Sequence, residues 1–422
     1  MSGRFSIGRR EMLALGAAAP LALGVSSVLR AAEPDLSDLH DITTAAVPIG
    51  PAERRSRIAR AQALMKANGI GSVLVEAGSS LAYFTGIRWW RSERLTAAII
   101  PVEGEVMIVT PFFEEPSVRE SLGIAADVRV WQEDEDPLKL IAGYLKERGL
   151  AGKPVGIEET VRYFAVDGLR HALPDATIVS ANPVVRAARM RKTPAEIALM
   201  QLATDVTIAA YRWTYDRVEK GMTSGEISAL MSAATRKLGG EVEFSMVLLN
   251  EASAYPHGSK QPQKVIDGGV VLMDCGCTVH GYQSDVSRTW VHGAPSTAQR
   301  TVWDQVHRGQ HVAITAARLG APAGSIDDAV RGYYEALGYG PRYKLPGLSH
   351  RTGHGIGMDG HEPVNLVHGE NEPLDVGMCF SDEPGIYLPG KFGVRLEDCF
   401  HMTEAGPKFF SEPPQSIDAP MG

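Results

Sequence analysis

The 422-residue chain is 44% hydrophobic and carries a formal charge of -8, which allows two globular domains and argues against a nucleic-acid partner. Its first 32 residues hold four Arg against one Glu, so the remainder stands at -11. The four cysteines, at 275, 277, 379 and 399, match no zinc spacing and leave disulfides open, while Cys275 and Cys277, either side of Gly276, read as small core residues.

Arg9-Arg10 precede a mildly apolar, Ala- and Gly-rich run ending at Val28, a pattern that resembles a twin-arginine export signal. Residues 1–32 are therefore expected to be removed on export to the periplasm or beyond, leaving no membrane attachment. Residues 33–52 read as a linker. Glu53 to Asn68 has the pattern of an amphipathic helix stopped by Gly69, and a strand follows over Ser72 to Glu76. Apolar runs at 96–101, 106–110, 128–131, 155–157 and 177–179 alternate with helical stretches near 112–122, 137–148 and 161–172, which predicts an amino-terminal α/β domain over 53–190. Its exposed-looking aromatic segment, Tyr83-Phe84 and Arg88-Trp89-Trp90-Arg91, reads as simple packing, or as the lining of a site or a subunit contact.

The remainder, 191–422, opens on two capping boxes, Thr193-Pro194-Ala195-Glu196 and Thr223-Ser224-Gly225-Glu226, each predicting a helix start. A hairpin follows directly. Val270 to Met273 ends in Asp274, Val279-His280-Gly281 turns the chain, and Gln283 to Trp290 returns, which sets Asp274 opposite Asp285. Facing carboxylates repel, so this pair calls for a basic side chain or a metal between them. The same order then recurs. A helix over 297–319 and another capped by Ser325 and closed by Gly338 precede a second hairpin, whose turn at Gly390 sets Glu383 opposite Glu397. Two acid pairs in matching places of two halves point to a shared cation. His354, flanked by Gly353 and Gly355, adds an imidazole, and an N/O donor set of this kind suits divalent first-row metals. Five such side chains are ample for two ions, and a two-metal site supports hydrolysis. His257 and His361 are candidates to stabilise charge developing on a substrate carbonyl.

These residues carry a family resemblance. Asp274, Asp285, His354, Glu383 and Glu397, with PHG at 256–258, SDVSRT at 284–289, HGIGMDGHE at 354–362, EPGIY at 383–387 and GVRLED at 393–398, resemble the pita-bread metallopeptidases of the prolidase and aminopeptidase P type. The resemblance covers about 53–422. It implies an α+β fold with a pita-bread catalytic domain and a smaller amino-terminal α/β domain. It also implies hydrolysis of the bond before proline in a peptide, two divalent ions (manganese, with cobalt or zinc as alternatives) and a homodimer. By resemblance, Asp274 binds one ion, Asp285 and Glu397 bridge the pair, and His354 and Glu383 complete the other. Glu383 is also the general base, His257 and His361 stabilise substrate and intermediate, Arg395 orients the carboxylates, and Tyr387 is a further candidate.

There is one departure. Prolidases commonly place an arginine for the dipeptide carboxylate four residues after the histidine matching His361, and here that position is Asn365. Longer Xaa-Pro peptides, or another anchor such as Arg351, Arg342 or an arginine of 88–94, then come into play. The same residues also fit a dinuclear-metal amidase acting on a non-peptide C–N bond, and a non-catalytic binding protein on the same fold, although such binding proteins usually lose ligands and none is missing here.

Overall fold

The computed structural model describes residues 34–422; the export signal read at 1–32 lies outside them. No helix among the described residues is long and apolar enough to cross a membrane.

The amino-terminal part runs α1 (Pro51–Asn68), β1 (Ser72–Glu76), α2 (Ser79–Thr85), β2 (Ala97–Pro101), β3 (Met107–Pro111), α3 (Glu115–Ser121), β4 (Asp127–Trp131), α4 (Pro137–Glu147), β5 (Val155–Ile157), α5 (Tyr163–Ala172), β6 (Ile178–Ser180) and α6 (Asn182–Arg189). Its six strands form one mixed sheet in the order β4-β3-β2-β1-β5-β6. Strand alternation divides its side chains between two layers. Val73, Val75, Ala98 and Ile100 pack with Met65 of α1 and Phe84 of α2, while Leu74, Ala97 and Ile99 pack with Ile141 of α4 and Leu169 of α5. Burial on both faces explains why these strands read as continuous apolar runs. Two elements were not read from the sequence. The α2 helix is only seven residues long, and α6 carries just three fully buried side chains. Tyr83 and Phe84 are core residues rather than exposed ones, whereas Trp90 is exposed and stacks on Trp89.

The carboxyl-terminal part begins with α7 (Pro194–Tyr215) and α8 (Ser224–Lys237), and both predicted capping boxes are present. Next come β7 (Glu241–Leu249), β8 (Gly269–Val279), β9 (Tyr282–Gln283), β10 (Val286–His292), α9 (Thr297–Ala316) and α10 (Gly324–Ala336). The chain ends with β11 (Gly353–Gly355), β12 (Glu362–Leu366), β13 (Cys379–Asp382), β14 (Gly385–Leu388), β15 (Phe392–Arg395), β16 (Asp398–Thr403) and β17 (Gly406–Phe409). One sheet has the order β10-β8-β7 and packs against α7 and α8. A second has the order β12-β11-β13-β16-β17, with α9 and α10 contributing to its core. Strand β7 was missed by the sequence reading, which took the hairpin to follow α8 directly. Ser325 is not the cap of α10: the helix starts at Gly324 behind Ala323, and the Ser325 hydroxyl donates to the Pro322 carbonyl.

The segment read as a linker is packed. Leu36, Leu39, Ile42, Ala46 and Ile49 join the core of α7 and α8. Asp38 accepts the Trp213 indole N–H at 3.0 Å, and the Ile42 N–H donates to the Leu238 carbonyl.

Candidate metal centre

Strand β8 sends its odd-numbered residues Val271, Met273, Cys275 and Cys277 into the helix-backed core. The other face therefore carries Asp274. The turn after β8 is a two-residue loop, His280 at φ 50° and Gly281 at φ 83°, the left-handed pair that suits a tight hairpin. This centres the turn one residue later than the sequence reading did. Asp274 consequently pairs with Ser287 rather than Asp285. The pairing is displaced by two residues, which preserves the face, so the two aspartates are diagonal rather than direct neighbours.

The second hairpin keeps the expected register. Asp382 pairs with Asp398 and Gly385 with Arg395, which places Glu383 opposite Glu397 at the break between β13 and β14. Ser287 and Glu397 then bridge the two halves through reciprocal backbone hydrogen bonds of 3.3 and 3.1 Å. Glu397 Oε2 also accepts the Ser287 hydroxyl at 2.7 Å.

His354 stands between the pairs. Its Nδ1 lies 3.0 Å from the Gly355 carbonyl oxygen, so that nitrogen carries the proton and Nε2 presents a lone pair. Nε2 is 3.4 Å from Glu383 Oε1 and 3.7 Å from Asp285 Oδ2. Ligand atoms of Asp285, His354 and Glu397 all lie within 4.8 Å of one another. Asp274 Oδ1 is buried with no hydrogen-bond partner among the described residues. Lone pairs at this spacing, in a buried place, require protons or a cation between them.

The electrostatics agree. Burial first, then Asp274 and Glu383, push the Asp285 carboxyl well above its ordinary range. Burial and Asp285 do the same to Glu397. Glu383 is raised to about 7, chiefly by burial, with Arg395 opposing. Burial keeps His354 neutral, with His361 adding to the effect. The donor set therefore fits divalent metal.

Among the described residues, Arg395 is the one cation that hydrogen-bonds directly into this group. Its Nη2 donates to Asp274 Oδ2 at 2.6 Å, Nε to Ser287 Oγ at 3.0 Å, and Nη1 to the Tyr387 hydroxyl at 3.1 Å. Tyr387 donates in turn to His350 Nε2 at 2.7 Å, while His350 Nδ1 faces the Arg351 carbonyl. His350 is held neutral, with its pKa pushed down to about 3 by burial and then Arg395. The sequence reading did not single it out. The available signal was a further histidine, four residues before His354. Asp382, the last residue of β13, was also missed. It is fully buried, and burial followed by Asp398 keeps it protonated.

All five candidate ligands line one cavity of about 760 Å³, together with His257, His350, Arg351, His361, Arg395 and the missed strand's Phe244 and Met246. The His361 ring centroid is 4.0 Å from that of His354, and His257 stands exposed at the cavity rim. A neighbouring cavity of about 430 Å³ shares Arg351 and His361, and Asn365 faces this second space. Of the alternative anchors, only Arg351 lines the first cavity. Arg342 belongs to a different hollow, Arg91 bonds Thr160, and Arg94 pairs with Glu133. Arg88 sits against the turn at Gly281. The four cysteines are buried and free.

Residues 198–404 match metallopeptidase family M24, and residues 57–191 match the creatinase/prolidase N-terminal domain. The chain is similar to an Xaa-Pro dipeptidase of Lactobacillus helveticus, with 32% identity over 79% of this chain and 90% of that protein. Among solved structures it resembles dipeptidase PepE from Mycobacterium ulcerans, with a TM-score of 0.80 and 31% identity over 88% of this chain and 98% of that one. It also resembles a prolidase from Thermococcus sibiricus, with a TM-score of 0.78 and 30% identity over 85% and 97% of the two chains. With a creatinase/prolidase amino-terminal domain in front of a buried cluster of acids and histidine, the chain belongs to metallopeptidase family M24 and is a peptidase that uses divalent metal ions.

Proposed function

We propose that this enzyme hydrolyses the peptide bond before proline, using two divalent ions held by Asp274, Asp285, His354, Glu383 and Glu397. The observation that carries the reading is the convergence of four carboxylates and one neutral imidazole, with Arg395 bonded among them as countercharge. Relatives named as Xaa-Pro dipeptidase and prolidase support the substrate class. Bound ions supply a water acidic enough to attack near neutral pH and positive charge to polarise the carbonyl.

The chain's own residues do the rest. Glu383, opposite Glu397 at the break between β13 and β14, is placed to take a proton from the attacking water and return it to the leaving amine. His361 and His257 donate hydrogen bonds to the carbonyl oxygen as it gains charge. Arg395 fixes Asp274 in place, with Tyr387 and His350 behind it.

Arg351 takes the free carboxylate of a dipeptide in place of the arginine that Asn365 lacks. Among the described residues its guanidinium has no hydrogen-bond or ion-pair partner, and it lines both cavities. The purified enzyme, assayed with Mn²⁺, Co²⁺ or Zn²⁺, is expected to release proline from Xaa-Pro and to be most active with manganese. Arg351→Met is expected to raise KM for Xaa-Pro about 10- to 100-fold, as loss of a charged hydrogen bond does, and to leave Xaa-Pro-amide unaffected. Inert Xaa-Pro peptides alongside turnover of another amide would transfer the enzyme to the amidase reading.

The adjacent arginines Arg9-Arg10 support export by the twin-arginine route. That route carries folded protein, so manganese, weak in the divalent affinity order, is loaded before zinc and copper compete for the site. Replacing both arginines by lysine is expected to leave the enzyme in the cytoplasm. Unchanged periplasmic activity in that variant counts against the route.

A further inference from the structure

The loop that carries His361 is held from the amino-terminal domain. Glu362, buried at the start of β12, turns its carboxylate back so that Oε1 accepts the N–H groups of Met358 at 2.9 Å and Asp359 at 3.1 Å. Lys192 Nζ meets Oε2 at 3.1 Å. Arg189, at the end of α6, reaches Glu362 Oε1 and Asp359 Oδ2 with one nitrogen. With the other it donates to the hydroxyls of Ser79 and Ser80 at 2.9 and 2.8 Å, at the start of α2. Ser79 donates onward to Asp359 and Ser80 to Glu158. A Cβ on Gly357 would lie 2.7 Å from the Lys192 side chain and 2.9 Å from the Glu362 carboxylate, so the loop closes on this ion cluster with no room to spare.

Burial works against the Glu362 carboxylate, but Arg189 and then Lys192 outweigh it and push its pKa down to about 2. Among the described residues the His361 ring makes no hydrogen bond of its own. Its place is set by the backbone of this loop and by the His354 ring 4.0 Å away.

We infer that Arg189 is a positioning residue: through Glu362 and Asp359 it sets the loop that aims His361 at the reacting carbonyl, so the amino-terminal domain takes part in the chemistry. This rests on the role proposed above for His361. The amino-terminal domain thereby contributes a charge clamp from residues about 170 positions away in sequence.

A double-mutant cycle on the full metal-loaded enzyme tests it. Arg189→Met is expected to lower kcat roughly 10- to 100-fold, the usual range for a residue supporting a catalytic group, with KM changed far less. Arg189→Lys restores part of the loss. In a His361→Ala background the same Arg189→Met change is expected to cost less than about twofold, because the two act as one unit. Equal losses in both backgrounds, or full kcat in folded Arg189→Met, overturn the inference. Asp359→Asn, at a half-exposed position, replaces Arg189→Met in the cycle if that variant does not fold, with the same two outcomes. Failure of the His361 role shows separately, as full turnover by His361→Ala. The imidazole resonances of His361 in zinc-loaded protein then decide the positioning: displaced by Arg189→Met they support it, and unmoved they overturn it.

Discussion

Glu383→Ala is expected to lower kcat by about 10⁴-fold while leaving the fold intact, the upper range for loss of a general acid–base. Glu383→Gln keeps one oxygen acceptor and the volume of the side chain but cannot hold the proton, so a loss nearer 10³-fold is expected. The same substitutions should stabilise the metal-free protein at pH 8. Glu383 lies among Asp274, Asp285 and Glu397, raising the Asp285 and Glu397 carboxyls by its charge, and removing one of four mutually repelling groups relieves that repulsion. A residue that costs stability and is required for turnover is the pattern of a site built for chemistry. Steady-state kinetics with thermal melts in excess chelator check both halves. Retained turnover sinks the assignment of the base, and a destabilised metal-free Glu383→Gln sinks the electrostatic account.

Much of this centre was legible because it rests on local rules. The acids lie on two hairpins whose turns are marked by glycine, and strand alternation fixes which side chains share a face. At Gly390 the turn was centred correctly, and Glu383 opposes Glu397 as read. At His280-Gly281 the turn was centred too early because His280 was not expected at positive φ, which non-glycine residues adopt sparingly. The error displaced the pairing by two residues, and only an even displacement could have left both aspartates on the same face. Strand β7 was readable in principle, since Val242, Phe244 and Met246 alternate with Glu241, Glu243 and Ser245. Its acidic members made it resemble a loop.

What was not legible joins distant parts of the chain. Nothing near Arg189 announces Glu362, and nothing near Asp38 announces Trp213. Residues 36–49 read as a linker because prolines stand at 34, 48 and 51; Leu36, Leu39, Ile42, Ala46 and Ile49 are spaced three or four apart as on a helix, yet the segment forms none. They pack individually into gaps along α7 and α8 instead. His350 was passed over for a similar reason. A histidine four residues from a ligand gains meaning only once Tyr387 and Arg395 are brought beside it by the second hairpin.

Stripping the metal is expected to make stability fall as pH rises, and reloading it to reverse the trend. In the metal-free protein the carboxyls of Asp285 and Glu397 lie well above their ordinary range, and Glu383 is raised from 4.5 to about 7, in each case chiefly by burial. A raised carboxyl holds a proton in the folded state that the unfolded chain has released. Its stabilising contribution is full below pH 4.5 and lost as pH climbs through about 7. For Glu383 alone that is of order 3 kcal/mol, and Asp285 and Glu397 act in the same direction. Metal displaces these protons, so ions and protons compete, and affinity grows as pH rises over the same window. Groups elsewhere, such as Glu362 with its opposite shift, affect the loaded and stripped proteins alike and cancel in the comparison. The gap in melting temperature between loaded and chelated protein, measured by calorimetry from pH 5.5 to 8, should therefore widen with pH. A gap that stays constant or narrows would mean that these carboxylates do not hold the ions as anions, and the dinuclear reading of the site would fail with it.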